Sequence, residues 1–332
     1  MVATAKFSQT AIERPEVADY KETGYEQCWY PVAQSKEIAP GKIVGQDFLD
    51  GRVIIYRDTA GQVHVMAAYC KHLGTDLSLA KVVGDAVRCP FHAWEYGPDG
   101  VCTKIPSLGS ADEIPSRAKL FSYPVEENLD IIWVFNGVKP LYPVPTFTRS
   151  VDMSRMTFKV FEAQEKFRAE PWWIFTTNVF DFQHLSVLHG LGEMAFEIDV
   201  QDYSIGYAGG GITVWGVNCT LGISPQRTMV GGGTPLPGGG RKGYRVYAFD
   251  HGSGSKKEIA EAEAKIDELY EHETRIIVDD DVPIIDTLNY KAGGVLVPAD
   301  RALATFLRYA QRYPRITTAE LIAGAEHGNG RG

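Results

Sequence analysis

Cys70-Lys71-His72-Leu73-Gly74 and, further on, Cys89-Pro90-Phe91-His92-Ala93-Trp94 decide how the first half of this chain is read. Each segment pairs one thiol with one imidazole, as C-x-H and C-x-x-H. Two thiolates and two imidazoles suit a two-iron cluster, with the cysteines on one iron and the histidines on the other. Neutral imidazole in place of thiolate lessens the negative charge and raises the reduction potential. Gly74 permits a tight turn behind His72, and Pro90 stiffens the second segment. A single zinc ion is the rival. Zinc fingers, however, set both cysteines on one knuckle and both histidines on the other. Here each knuckle carries one of each, which favours the cluster.

Both segments lie among short strands and turns that run from Trp29 to Asn136. Arg52–Arg57 and Gln62–Ala67 flank the polar turn Asp58–Gly61 and predict a hairpin. Gly97-Pro98-Asp99-Gly100 marks a second turn, and Leu129–Phe135 predicts a mostly buried strand. The first domain is therefore expected to be all-β, over residues 26–138, after a polar arm at 1–25. Lys139-Pro140-Leu141-Tyr142-Pro143-Val144-Pro145 is too proline-rich for a central element, so 139–150 reads as a linker.

Residues 151–332 mix element types without alternating them, which predicts an α+β second domain. Trp172–His189 reads as one helix after Pro171, ending at Gly190. Ile212–Val217 and Tyr244–Phe249 read as strands. Residues 256–290 read as helical, because Ile259, Ala262, Ile266, Leu269, Ile276 and Ile277 recur at helical spacing. The glycine clusters at 209–211, 231–233 and 238–240 read as loops, one of them a candidate lid. Gly238–Gly243 fits G-x-G-x-x-G by letter but leads into a strand pattern, so it lacks the context of a dinucleotide site. The tail after Arg315 is expected to fray.

The second domain carries His184 and His189 in Asn178-Val179-Phe180-Asp181-Phe182-Gln183-His184-Leu185-Ser186-Val187-Leu188-His189. Two histidines and one carboxylate on one face of Fe(II) leave positions open for O₂ and substrate. Five residues apart, the two histidines would sit about 140° apart around a regular helix. A break or π-bulge near Leu185–Leu188, or a helix end before His189, is therefore expected. The third ligand should come from Asp279-Asp280-Asp281. Asp281 falls among Ile277, Ile284, Ile285 and Leu288, and an ionised carboxylate facing a core needs a partner or a metal. Asp280 is the alternative. Pro283 softens this phase argument.

The stretch CKHLGTDL…CPFHAWEYGPDG resembles the Rieske iron–sulfur family. Rieske proteins of respiratory complexes carry two further cysteines as a disulfide, and those positions hold none here. Cys28, Cys102 and Cys219 read as isolated structural residues. The run from Asn178 to His189 resembles the N-x-x-D-x-x-H-x-x-x-x-H signature of Rieske non-haem iron oxygenase α subunits, and Asp281 to Asp286 resembles their D-x-x-x-x-E segment. The likeness spans about Trp29 to Tyr309.

That resemblance implies a helix-grip-type catalytic domain and two cofactors. A [2Fe–2S] cluster would be held by Cys70, His72, Cys89 and His92, and Fe(II) by His184, His189 and Asp281. It implies that Asp181 bridges toward the cluster histidine of a neighbouring subunit, and that Asn178 sits near the iron without ligating it firmly. It also implies a head-to-tail homotrimer of the compact type, related to O-demethylases and ketosteroid hydroxylases. Electrons would come from a separate NAD(P)H-dependent reductase, with or without a ferredoxin. The reaction expected is hydroxylation or oxidative demethylation of a small apolar substrate by O₂. Ring cis-dihydroxylation, or a Rieske electron carrier with a non-catalytic second domain, are the alternatives. Trp172, Trp173, Phe175 and Phe180 suggest an aromatic or polycyclic substrate, with plain core as the competing role.

Bulk properties agree with this outline. The 332 residues carry a formal net charge of −9, a poor match for nucleic acid. No apolar run approaches the roughly 20 residues that span a bilayer. The N-terminal MVATAKFSQTAIERPE has no apolar core of a signal peptide. Five cysteines without a paired framework suggest a reducing compartment, hence the cytoplasm. His64 reads as structural, and His251, His272 and His327 as solvent-facing.

Overall fold

The computed structural model describes residues 24–147, 151–223, 228–290 and 295–327. Residues 1–23 of the expected arm and 148–150 of the expected linker lie outside them. The chain divides into two compact units. One comprises 24–144 with 234–237 and the residues from Arg315 onward; the other comprises 145–233 and 238–314.

In the first unit every sheet is antiparallel. β1 (Tyr25–Glu26) pairs with the C-terminal strand Arg315–Ile316. β2 (Trp29–Gln34) pairs with β11 (Ile131–Phe135), which pairs with β10 (Val125–Asn128). β3 (Ile43–Phe48), β4 (Gly51–Arg57) and β5 (Val63–Ala67) form a meander. The Asp58–Gly61 hairpin forms as expected. Asp58 Oδ1 accepts from the Gln62 N–H at 2.8 Å, and Gly61 takes φ +94°. β6 (Lys81–Val83), β7 (Ala86–Arg88), β8 (Glu95–Tyr96) and β9 (Cys102–Lys104) form a small sheet that carries the second cysteine segment. Ile54, Tyr56, Met66, Leu77, Val87, Tyr96 and Leu120 bury together with Cys70 and Cys89.

The second unit is built on seven strands in the order β12-β18-β17-β16-β15-β14-β13. They are β12 (Met156–Glu165), β13 (Ile198–Val200), β14 (Ser204–Tyr207), β15 (Ile212–Trp215), β16 (Cys219–Ile223), β17 (Thr228–Pro235) and β18 (Arg241–Asp250). Between β12 and β13 a 3₁₀ segment, Trp172–Val179, leads into the short helix α1 (Phe182–Val187). After β18, α2 (Lys256–Arg275) starts at a capping box. The Ser255 hydroxyl accepts from the Glu258 N–H, and the Glu258 carboxylate accepts from the Ser255 N–H. Its buried Ala262 and Ile266 and the stacking of Tyr270 on Phe161, 3.9 Å between centroids, hold it to β12 and β18. This is a sheet gripping a helix, the α+β arrangement expected. α2 runs through a π turn (Ile276–Asp281) into α3 (Val282–Ile285). Then α4 (Arg301–Gln311) buries Phe306, which stacks on Phe180 at 4.8 Å and meets Trp173 edge-on. Phe180 and Trp173 are thus core residues.

Several local expectations are corrected. The run 172–189 is two segments, because Asp181 leaves the helical region at φ −91°, ψ 83° and caps α1. Leu129 and Asp130 are a turn with positive φ, so β11 begins at Ile131. Gly231–Gly233 lies within β17 rather than in a loop. The other two clusters are turns, and Gly238–Gly240 leads directly into β18, as its strand context required. The tail is not frayed through its described part. It forms the strand Arg315–Ile316 and the helix Thr318–His327, with the Thr318 hydroxyl donating to Asp50 Oδ1 at 2.5 Å. His251 has a partner, its Nδ1 lying 3.1 Å from Thr157 Oγ1, and His64 Nε2 lies 3.0 Å from Asp58 Oδ2.

One glycine is required by geometry. Gly240 takes φ +77°, and a Cβ there would lie 2.1 Å from the Glu165 carbonyl oxygen. Gly240→Ala should combine a left-handed penalty of about 1–2 kcal/mol with a forced backbone shift. Denaturant unfolding of the purified variant is expected to show a lower midpoint. Wild-type stability would mean that the β17–β18 turn is not built this way.

Candidate metal centres

The two cysteine segments fold as tight fingers. In the first, the Cys70 N–H donates to Thr75 O at 3.0 Å and the Gly74 N–H to Cys70 O at 2.9 Å, with Gly74 at φ +75°. In the second, the Cys89 N–H donates to Trp94 O at 2.9 Å and the Ala93 N–H to Cys89 O at 3.1 Å. Cys70 and Cys89 are buried, whereas His72 and His92 are exposed. The imidazoles meet, Nδ1 to Nδ1 at 3.1 Å, and His72 stacks on Trp94 at 4.8 Å. Burial, with Cys89 beside it, holds the Cys70 thiol pKa above its ordinary value. Two buried thiols and two outward imidazoles on facing fingers fit a cluster with one iron inward and one outward. A single zinc ion would draw all four donors into one tight group. Among the described residues the tight metal-type group is elsewhere, and these four are not in it.

Tyr96 was legible only as a strand residue. Its hydroxyl lies 3.2 Å from Cys70 Sγ and accepts the Lys71 N–H at 3.1 Å. With its oxygen so occupied, its O–H is free to donate to the sulfur.

The tight group is His184, His189 and Asp281. The two Nε2 atoms are 2.8 Å apart, and Asp281 Oδ1 lies 3.1 Å from His184 Nε2 and 2.9 Å from His189 Nε2. Three donors around an ion at about 2.1 Å with right angles between them would be about 3 Å apart. The triangle therefore has the dimensions of one face of an octahedron. His184 comes from α1 and His189 from just past its end, because α1 stops at Val187. That is the second of the two ways in which the spacing could be accommodated. The π turn belongs to the other element and ends at Asp281. One extra residue in a turn rotates every later side chain by about 100°. Past that turn Asp281 and Ile285, four residues on, are both buried, whereas Ile284 and Leu288, expected on the same face, are 48% and 43% exposed. Asp279 and Asp280 are exposed.

Around this triangle, Asn178 Nδ2 donates to Asp281 Oδ2 at 3.0 Å. Asp181 is outside the group, and its Oδ1 accepts the His184 N–H at 2.9 Å. Asp286, in the second acidic position, pairs with Arg168 at 2.9 Å. That guanidinium holds the Asp286 carboxyl below its usual range. The triangle opens on a cavity of about 770 Å³, to which Phe175, Val179, Leu185, Met194 and Ile277 contribute apolar walls.

Residues 28–124 match the family model described as the Rieske [2Fe–2S] domain. The chain is 37% identical over 126 residues to the cholesterol 7-desaturase nvd of Xenopus laevis, covering 36% of this chain and 27% of that protein. It is 30% identical over 166 residues to the toluene-4-sulfonate monooxygenase system iron–sulfur subunit TsaM1 of Comamonas testosteroni, covering 49% and 46%. It thus spans less than half the length of these curated relatives. Over 91% of its length it superposes on 93% of an oxygenase chain solved in the reduced complex between oxygenase and ferredoxin of carbazole 1,9a-dioxygenase. There the TM-score is 0.71 at 19% identity, a likeness of fold. Among the described residues no helix is long and apolar enough to cross a membrane. The chain thus carries a Rieske [2Fe–2S] domain over residues 28–124 and shares the fold of that oxygenase chain over most of its length.

Proposed function

We propose that the chain is a terminal oxygenase that inserts oxygen from O₂ into an organic substrate with an aromatic or polycyclic body, by hydroxylation or oxidative demethylation. One observation carries this: the His184–His189–Asp281 triangle opens on a largely apolar cavity in a chain that also holds a Rieske domain. Cys70, His72, Cys89 and His92 would hold the cluster, and His184, His189 and Asp281 the mononuclear iron. When bound, the cluster would supply electrons one at a time and the iron would activate O₂.

The residues around these groups have separable tasks. Asn178 occupies Asp281 Oδ2 and so turns Oδ1 toward the imidazoles. Leu185 and Val179 line the cavity beside His184 and limit water there. Asp181 keeps lone pairs beyond the one used in capping α1, and would accept from an imidazole N–H of a neighbouring subunit's cluster. Such a relay needs a closed head-to-tail ring, for which a homotrimer is proposed. Electrons would enter from a separate reductase, directly or through a ferredoxin, a kind of complex known for the carbazole enzyme. The five cysteines of the sequence form no paired framework, which supports a reducing compartment such as the cytoplasm.

Metal and sulfide analysis of anaerobically purified protein is the first test, with three irons and two sulfides per chain expected. His184→Ala should keep the visible absorption of the cluster, lose the third iron and abolish substrate-dependent O₂ uptake. Full turnover in that variant would sink the iron site. Asp181→Asn should retain both metals and slow turnover about 10–100-fold; an unchanged rate would remove its relay role. Tyr96→Phe deletes a donor that favours the more negative, reduced cluster. A hydrogen bond worth about 1 kcal/mol corresponds to a fall in midpoint potential on the order of 40 mV for one electron. An unshifted potential in redox titration would mean that Tyr96 does not donate to the sulfur.

A further inference from the structure

The same cavity contains a charged cluster that the proposed chemistry leaves unused. Glu165 on β12 and Arg241 and Arg245 on β18 all line it. Glu165 stands opposite Arg241 in the strand register, and alternation sends Arg241 and Arg245 to the same face. Glu165 is almost wholly buried. It accepts from Arg241 Nε at 3.3 Å and from Arg245 Nη2. One carboxylate thus faces two guanidiniums. The other carboxylate on the α2 side of the cavity, Glu273, accepts from the Tyr247 hydroxyl at 2.6 Å. Burial, reinforced by Arg245 and opposed by Glu165, pulls the Arg241 pKa below its ordinary value.

Two further features suggest a built subsite. A guanidinium has five N–H donors. Among the described residues, Arg241 and Arg245 each make one hydrogen bond, to Glu165. Arg241 is also fixed in plane, with Cζ 3.9 Å from the centroid of Phe175. Then there is the glycine run of β17. A Cβ on Gly233 would lie 2.7 Å from Arg241 Cδ, and one on Gly231 would lie 3.3 Å from Arg245 Cγ. Glycine weakens a strand interior and marks a place where something must approach closely. Here the approaching groups are the two arginine stems, laid across β17.

We propose that Arg241 and Arg245 form a subsite for an oxyanion, carboxylate or sulfonate, carried by the aromatic substrate. The substrate is then an aryl acid and not a hydrocarbon. This rests on the oxygenase reading and sharpens it: the arginines would bind the charged end and leave the ring toward His184, His189 and Asp281. Planar guanidinium forks match oxyanions in two-point contact.

Calorimetry on the metal-loaded protein tests this with 2-naphthoate, 2-naphthalenesulfonate and the neutral 2-naphthamide. At least one acid should bind roughly tenfold more tightly than the amide, the size expected of one charged hydrogen bond. Arg241→Gln should erase that difference by weakening acid binding far more than amide binding, and His184→Ala should preserve it. An acid that binds no better than the amide overturns the proposal, as does an acid preference unaffected by Arg241→Gln. An acid preference lost in His184→Ala also overturns it, since the iron would then be the receptor. Should Arg241→Gln fail to keep the visible absorption of the cluster, the wild-type acid-to-amide ratio decides. Acid binding by a protein without a third iron would keep the subsite and sink the oxygenase reading instead.

Discussion

A carboxylate can be buried only where positive charge or donors face it, and Asp281 is 6% exposed. That constraint organises the second unit. Asn178 satisfies one oxygen, and two imidazoles turn toward the other. For the carboxylate to arrive there, α2 must widen into a π turn at its end. For both imidazoles to arrive, α1 must stop at Val187. Asp181 makes the short helix possible by leaving the helical region and capping it. Each local irregularity of the backbone is the cost of converging three side chains that regular helices would point apart.

The Rieske fingers meet the opposite requirement. Their thiols join the apolar core and their imidazoles face outward. Burial disfavours a thiolate, and the Cys70 thiol pKa is raised accordingly. A bound cation would relieve that burden, and Tyr96 stands ready to donate to the sulfur. The outward imidazoles suit a centre that must exchange electrons at a surface, while the buried thiols anchor it. Hydrogen-bonded turns at Gly74 and Ala93 shape both fingers.

The seven-stranded sheet gives one cavity two chemistries. Metal-type donors from α1 and the end of α2 meet on one part of its lining, and a guanidinium pair from β18 lies on another. The glycines of β17 connect sequence to this outcome. They forgo side chains where the arginine stems must lie, so a run that looks like a flexible loop serves instead as a shallow bed. A largely apolar cavity with a fixed charged end orients a ligand as well as binding it.

The cysteine and histidine pairs were legible because metal chemistry demands particular donors at short spacing, and such spacing survives in one dimension. The break required between His184 and His189 was legible for the same reason, as was the burial of Asp281 in place of its exposed neighbours. Asp286 was visible only as an acidic position; its ion pair with Arg168 joins residues far apart in the chain. The second role of the glycine run, the two-segment form of 172–189, the packing of the C-terminal residues with the first unit and the hydroxyl of Tyr96 beside Cys70 were not legible. Each depends on partners distant in sequence, whose approach is decided by strand order and core packing. Sequence alone marked the candidate donor sets and the β-then-α+β order of the chain, since both arise from local chemistry and periodicity. Only the tertiary structure decided which charges share the cavity, because Glu165, Arg241 and Arg245 become neighbours through the pairing of β12 with β18.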